Sequence, residues 1–264
     1  MNILVCVKAV PDFDQVFPFG KLAEGDFDPL DSVDDDMDLY MNRFDEPAVE
    51  EAVLIKQKSP ATMIDIVSMG PKGAQKTIKR AIGMGADHGI HLQSSYKQAC
   101  DAMQTAQAMA TIAARKSYDL ILTGVMSEDL MQFQVGPMLA RLLEIPWATA
   151  VTRVDLDTEK HIISVEQELE GGAKAFLELN LPALVTIQTG INIPRYPSLS
   201  NMLRANKIDL ETYKADSIET GEKTFRIAGY SVPEKKRAGL VIDGTPQEKA
   251  EKLMQMLKQK SLLP

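Results

Sequence analysis

The sequence predicts an α/β fold, and three observations carry that reading. Short apolar runs of strand length recur along roughly the first 150 residues. Segments with apolar residues at helical spacing lie between them. The tail departs from this alternation and is polar before a single amphipathic segment. Strands alternating with helices imply parallel pairing with helices packed over the strands. The expected architecture is a Rossmann-like, open, parallel-rich sheet with helices on both faces, plus a C-terminal extension.

In chain order, Ile3–Val7 reads as a first strand, since MNILVCVKAV has no charged region leading into a long apolar stretch and so is not a signal peptide. Residues 24–46 hold ten acids against the single Arg43. They lack the Asp-x-Asp-x-Asp-Gly order of a calcium loop and read as a solvated acidic loop. Helical spacing follows over Pro47–Gln57 and Ala74–Met84, separated by the strand-like Ile64–Val67. His88–Leu92 is a weaker strand, and Ala99–Lys116 a helix whose Ala102, Ala106, Met109, Ala110 and Ala113 stripe reads as core. Leu120–Leu122 is a strand, Met131–Leu143 a helix, and Ala148–Val151 a weaker strand. Ile162–Val165 and Leu184–Ile187 complete the strands.

Beyond Ile187 the pattern breaks into Gly190, Asn192, Pro194, Arg195, Tyr196, Pro197 and Ser198. Two prolines three apart fix φ and bias the residues before them toward extended conformations, so neither strand nor helix continues to Pro197. Helical spacing resumes at Leu199, Met202 and Leu203, with Arg204 and Lys207 behind. A semi-rigid loop ending in a short helix suits docking; a plain crossover with a core leucine is the alternative. Polar residues 209–236 follow. Thr245, Pro246 and Glu248 then spell a capping box ahead of Ala250, Leu253, Met254 and Leu257 on one helical face, which folds back or packs on another subunit.

The chain of 264 residues is 45% hydrophobic and 25% charged, ordinary for a globular protein. A net charge of −8 argues against nucleic acid as a partner. The two cysteines, Cys6 and Cys100, cannot form a disulfide framework, which suits a cytoplasmic setting. No segment approaches the ~18 apolar residues of a membrane span. His88 and His91 could ligate a metal, but no paired cysteine or acidic motif supports them. Neither a Walker-type loop nor a G-x-G-x-x-G fingerprint follows a strand, which disfavours a standard ATPase or dinucleotide dehydrogenase. Three strand-to-helix junctions do suit a nucleotide: Cys6–Ala9, Ser68–Pro71 and Thr123–Ser127. In open α/β sheets ligands bind beyond the carboxyl ends of strands, where helix N-termini offer free N–H groups. Gln132 and Gln134 follow Gly124 and could reach a phosphate or ribose. Taken singly, each junction is equally a plain βα turn.

The order of residues adds a resemblance. Asn192, Pro194, Arg195, Tyr196, Leu199, Asn201, Ala205 and Lys207 match the recognition loop N-E-P-R-Y-x-x-L-P-N-I-M-K-A-K-K of the electron transfer flavoprotein beta subunit family. Ile193 and Ser200 depart from it, replacing an acid and a proline. Asn42–Glu46 with Ala48–Ala52 resembles the family's N-P-[FY]-[DC]-E-x-A-V-E-E-A, and Gly70-Pro71 with Ala81–Leu92 its G-P…A-L-A-M-G-A-D-x-G-I-H-V. Val165–Glu168 with Gly171-Gly172 is a degraded V-x-R-E-x-D-G-G.

The resemblance implies an electron carrier rather than an enzyme, paired with an alpha subunit that holds most of a redox FAD. It implies a nucleotide pocket at Cys6, Asn42, Ser68, Met69, Gly124, Asp129, Gln134 and Val135, taking AMP or, in electron-bifurcating members, a second FAD. Phe13 takes the place of an aromatic beside the redox flavin. Leu199 is implied as the anchor on flavin dehydrogenases such as acyl-CoA dehydrogenases, with Tyr196 and Arg195 beside it; a membrane quinone oxidoreductase is a further acceptor. The implied division is 1–190 for the nucleotide-binding domain, 191–207 for the recognition loop and 208–264 for an arm and helix packing on the partner. Ser127–Pro137 departs from the family loop. Its Val135-Gly136-Pro137 favours the bifurcating type, but Leu130 replaces a glycine and Met131 and Phe133 add bulk, so AMP is expected over a second FAD.

Overall fold

The computed structural model describes residues 1–12, 38–99, 101–218, 221 and 239–262. Phe13 and most of the acidic segment lie outside them. Residues 1–230 form one compact unit and 231–264 a second.

The first unit is built on a nine-stranded sheet. Its strands are β1 (Asn2–Cys6), β4 (Met63–Gly70), β5 (His88–Gln93), β6 (Leu120–Gly124), β7 (Trp147–Asp157), β8 (Ile162–Glu168), β9 (Lys174–Asn180), β10 (Ala183–Ile187) and β11 (Glu211–Lys214). A separate antiparallel pair joins β2 (Ala9–Pro11) to β3 (Leu39–Met41). The strand order in the large sheet is β11-β5-β4-β1-β6-β10-β7-β8-β9. From β11 to β7 every pairing is parallel, while β8 and β9 are antiparallel. The α/β expectation therefore holds.

β1 lies inside the sheet between β4 and β6, and the alternate side chains of β1 and the residue after it feed two cores. Ile3, Val5 and Val7 join α1 (Glu46–Lys58) and α2 (Ala74–Met84) on one face. Leu4 and Cys6 join α4 (Ala102–Ala113) and α5 (Val135–Leu142) on the other. A strand covered on both faces needs apolar residues at every position, which is why Ile3–Val7 is a continuous run.

β2, β3 and β11 are short strands where the sequence pattern predicts none, and β3 with buried Asp45 corrects the reading of 24–46 as a solvated loop throughout. Four further differences have a local reason. The helix expected over Ala99–Lys116 is divided into α3 (Tyr96–Ala99) and α4, because the Asp101 carboxylate caps α4 by accepting Met103 and Gln104 N–H, both at 3.0 Å. The helix expected from Met131 starts only at Val135, since Met131 and Phe133 take left-handed backbone angles of φ 51° and 58°. β9 was not expected: Lys174–Asn180 buries only one face and lacks a solid apolar run. Finally, β5 sends residues three apart to opposite faces, so His88 is exposed while buried His91 sits between Gly70 O and Gln75. The two cannot share one ion.

The second unit carries α7 (Pro246–Gln259) with the expected Thr245–Glu248 capping box. Its Leu253 and Met254 are exposed. No helix among the described residues is long and apolar enough to cross a membrane.

Candidate functional site

Strand order reverses at β1, since β4 and β5 lie to one side and β6 and β10 to the other. The crevice beyond the carboxyl ends of β1 and β6 is where such a sheet binds ligands. A cleft of about 680 Å³, counting its open mouth, occupies this place.

A buried carboxylate builds the crevice. Asp45 accepts Lys8 N–H at 2.7 Å from the end of β1 and Gly124 N–H at 3.2 Å from the end of β6. These are backbone donors that neighbouring strands no longer satisfy. The close approach requires glycine at 124, because a Cβ there would lie 2.3 Å from Asp45 Oδ1 and 2.5 Å from Phe44 O. Asn42, in the same turn, donates to Met126 O at 2.8 Å and accepts Glu128 N–H at 3.1 Å. Its amide thus pins the first part of the loop between β6 and α5 through both donor and acceptor.

Farther along this loop Asp129 is nearly buried. It pairs with Lys8 Nζ at 2.5 Å, accepts the Tyr96 hydroxyl, and accepts Leu130 N–H at 2.9 Å. Burial works to raise its carboxyl, but Lys8, Ser127 and Tyr96 outweigh this and hold it below the usual carboxylate range. Burial, joined by the charge of Asp45, pushes the Cys6 thiol up, so it is a neutral wall group rather than a nucleophile.

Six of the sequence-predicted pocket positions line this one cleft: Cys6, Asn42, Met69, Gly124, Gln134 and Val135. Ser68 and Asp129 are not on its surface. Ser68, fully buried next to Met69, has an Oγ without a hydrogen-bond partner among the described groups. Gln134 stands at the N-cap of α5 without capping it, leaving its amide and the helix's first N–H groups to the cleft. Ala102 and Met109 of the alanine stripe also line the cleft, so that stripe is both core and wall. Lys8 and Asp45 were missed as site residues. Lys8 was visible in the Cys6–Ala9 junction; nothing local in Asn42–Glu46 pairs Asp45 with two strand ends.

Asp45 gives a pH prediction. Burial pushes its carboxyl up to about 7, against the hydrogen bonds from Lys8, Asn42 and Gly124 and the charge of Lys8. Between its ordinary value near 3.8 and 7 the folded state holds a proton that the unfolded state has released. Stability is therefore fully present below pH ~4 and falls as pH rises through 7, by up to ~1.4 kcal/mol per unit. Urea unfolding from pH 4.5 to 7.5 should show this fall in the wild type and a flatter profile in Asp45→Asn. Equal slopes in both proteins would refute it.

The second feature is the segment after β10. Arg195 is tied to nearly buried Glu50 of α1: its Nε lies 2.9 Å and its Nη2 2.8 Å from the carboxylate, which also accepts Arg195 N–H at 3.0 Å. Asn192 donates to Pro47 O and Glu51, both at 3.0 Å. The loop is held from below, and Arg195 is spent on holding it. α6 (Leu199–Lys207) is capped by Ser198, and Lys79 donates to the carbonyls of Ala205 and Ile208 at its other end. Gly83 lets this helix seat on α2, since a Cβ there would stand 2.5 Å from Met202 Sδ. Above these anchors, Ile193, Tyr196 and Leu199 are 91%, 87% and 78% exposed. The core-leucine alternative is thereby removed.

The match to known proteins now has a place in the structure. The model of the electron transfer flavoprotein domain matches residues 32–218, which include Asp45, the loop after β6 and the segment after β10. The electron transfer flavoprotein subunit beta of Mus musculus is 36% identical over 252 residues, covering 93% of this chain and 94% of that protein. That of Bacillus subtilis (strain 168) is 32% identical, covering 98% of each. That of Thermoanaerobacterium thermosaccharolyticum is 30% identical over the whole of both.

The chain belongs to the electron transfer flavoprotein beta subunit family.

As a member of an electron transfer flavoprotein family, the chain serves electron transfer. The Asp45 clamp sets the crevice in this beta-subunit fold, and the Glu50–Arg195 pair sets its exposed loop.

Proposed function

We propose that this chain is the beta subunit of a heterodimeric electron transfer flavoprotein, an electron carrier rather than an enzyme. It passes electrons from flavin dehydrogenases, acyl-CoA dehydrogenases among them, toward a downstream acceptor such as a membrane quinone oxidoreductase. The observation that carries this is the exposed Leu199 on a loop braced by Glu50. An apolar anchor on a rigid support loses little conformational freedom on docking, which suits a brief, small contact. FAD, held mainly by the alpha subunit, supplies the redox chemistry when bound. Phe13, the residue of this chain proposed to face it, lies outside the described residues. The exposed stripe of α7, within 208–264, packs on the alpha subunit in this reading.

The cleft at the switch point takes AMP. Its apolar wall fits a base, and the α5 N-terminus fits a phosphate. Among its described lining residues Lys8 is the only cation, and it is already paired with Asp129. A pyrophosphate would meet no uncommitted positive side chain there, so a mononucleotide is favoured over a second FAD. The Val135-Gly136-Pro137 sequence supports the bifurcating alternative.

Nucleotide release from the purified alpha–beta complex tests the proposal. The expected result is one FAD and one AMP per heterodimer. Two FAD and no AMP would assign the second flavin to this cleft. A complex without flavin would refute the carrier function.

A further inference from the structure

We propose that Phe133 sets the specificity of the cleft by stacking its ring on the purine of the bound adenine mononucleotide. The inference rests on the nucleotide reading above and assigns a role to the residue that most alters the loop.

Four observations point to it. Phe133 lines the cleft beside Gln134 and Val135, which open α5. Its φ of 58° is in the left-handed region, where a Cβ is disfavoured and a bulky residue is out of place. Such strain persists where the surroundings over-determine it, and it concentrates at ligand sites. Third, the residue is 53% exposed and belongs to none of the hydrophobic core clusters. It does not pack the interior, and its half-exposed aromatic surface stands at the cleft wall.

The fourth observation is the remaining lining. Met69, Ala99, Ala102 and Met109 form an apolar wall, and thioethers make favourable contacts with aromatic rings. Gln132 and Gln134 add amides able to meet the polar edge of a base. A flat ring with a hydrogen-bonding edge satisfies both sets, whereas a sugar or a simple anion leaves the apolar wall unused. Met131 supplies an internal comparison. It is also left-handed and exposed, yet it does not line the cleft.

The test uses the alpha–beta complex stripped of mononucleotide and titrated calorimetrically with AMP. Phe133→Ala should bind AMP about 10-fold more weakly or worse, as expected when a base-stacking aromatic is removed. Phe133→Trp should stay within about threefold of wild type and gain an indole emission that AMP quenches. Met131→Ala should bind as wild type does. Phe133→Gly relieves the left-handed backbone, so it should melt no lower than wild type while binding as weakly as Phe133→Ala. That variant separates loss of stacking from loss of fold. Wild-type AMP affinity in Phe133→Ala would overturn the inference. So would weakened assembly with the alpha subunit at unchanged AMP affinity, which would make Phe133 a partner contact. If the wild-type complex binds no AMP, the nucleotide reading fails and this inference with it; if it binds AMP but Phe133→Ala binds equally well, only the stacking role fails.

Discussion

Gly124→Ala is expected to destabilise the protein by roughly 3 kcal/mol and to empty the switch-point cleft. The added Cβ would lie 2.3 Å from Asp45 Oδ1 and 2.5 Å and 2.7 Å from the backbone O and C of Phe44. None of these is the end of a flexible side chain: Asp45 is held by two backbone N–H groups, and Phe44 is backbone in a tight turn. The turn must move off β6. As it moves, the Lys8 and Gly124 N–H groups lose their acceptor in a buried setting, and each unsatisfied donor costs about 1–3 kcal/mol. Asn42 shifts too, releasing Met126 O and Glu128 N–H and freeing the loop that carries the cleft wall. Urea unfolding together with nucleotide content checks this. A variant with wild-type stability and bound nucleotide would show that the turn can yield, contrary to the clamp described here.

Leu199→Ala is expected to slow reduction by a partner dehydrogenase about 10- to 100-fold while leaving fold, flavin content and nucleotide content unchanged. Burying a leucine side chain contributes roughly 1.5–3 kcal/mol, and each 1.4 kcal/mol is a factor of ten. Because Leu199 is 78% exposed, its truncation removes little from the folded chain. The loss should appear in the concentration dependence of partner reduction rather than in the limiting electron-transfer rate. Reduction kinetics at varied dehydrogenase concentration, with thermal melting as a control, decide it. An unchanged profile would sink the anchor role; a lowered melting point would mean that Leu199 packs within its own protein.

Much of this molecule was legible beforehand. Ile3–Val7, Ile64–Val67, Leu120–Leu122 and Leu184–Ile187 announce buried parallel strands because a strand covered on both faces must be apolar at every position. Thr245-Pro246 with Glu248 announces a helix start, since all the groups involved lie within one turn. The exposed loop was likewise readable, because two prolines restrict the backbone locally. Where the structure differs, the causes lie in backbone conformation and partial burial, which apolar spacing does not report. Asp101 ended a helical pattern, the left-handed Met131 and Phe133 delayed another, and half-buried β9 hid among polar residues.

By itself, then, the sequence determined the alternation of strands and helices, the capped C-terminal helix and the proline-bounded loop that precedes Leu199. Each is written in the spacing of neighbours, which dihedral preference and one-turn hydrogen bonds convert directly into local shape. The tertiary structure alone decided what those parts touch. Asp45 bridges Lys8 and Gly124, Asp129 meets Lys8, and Glu50 takes Arg195 across 145 residues. A carboxylate in a sequence is equally a solvated surface group or a buried clamp. Which it becomes depends on the desolvation it meets and the donors that the fold brings to it, and those are properties of packing rather than of local order.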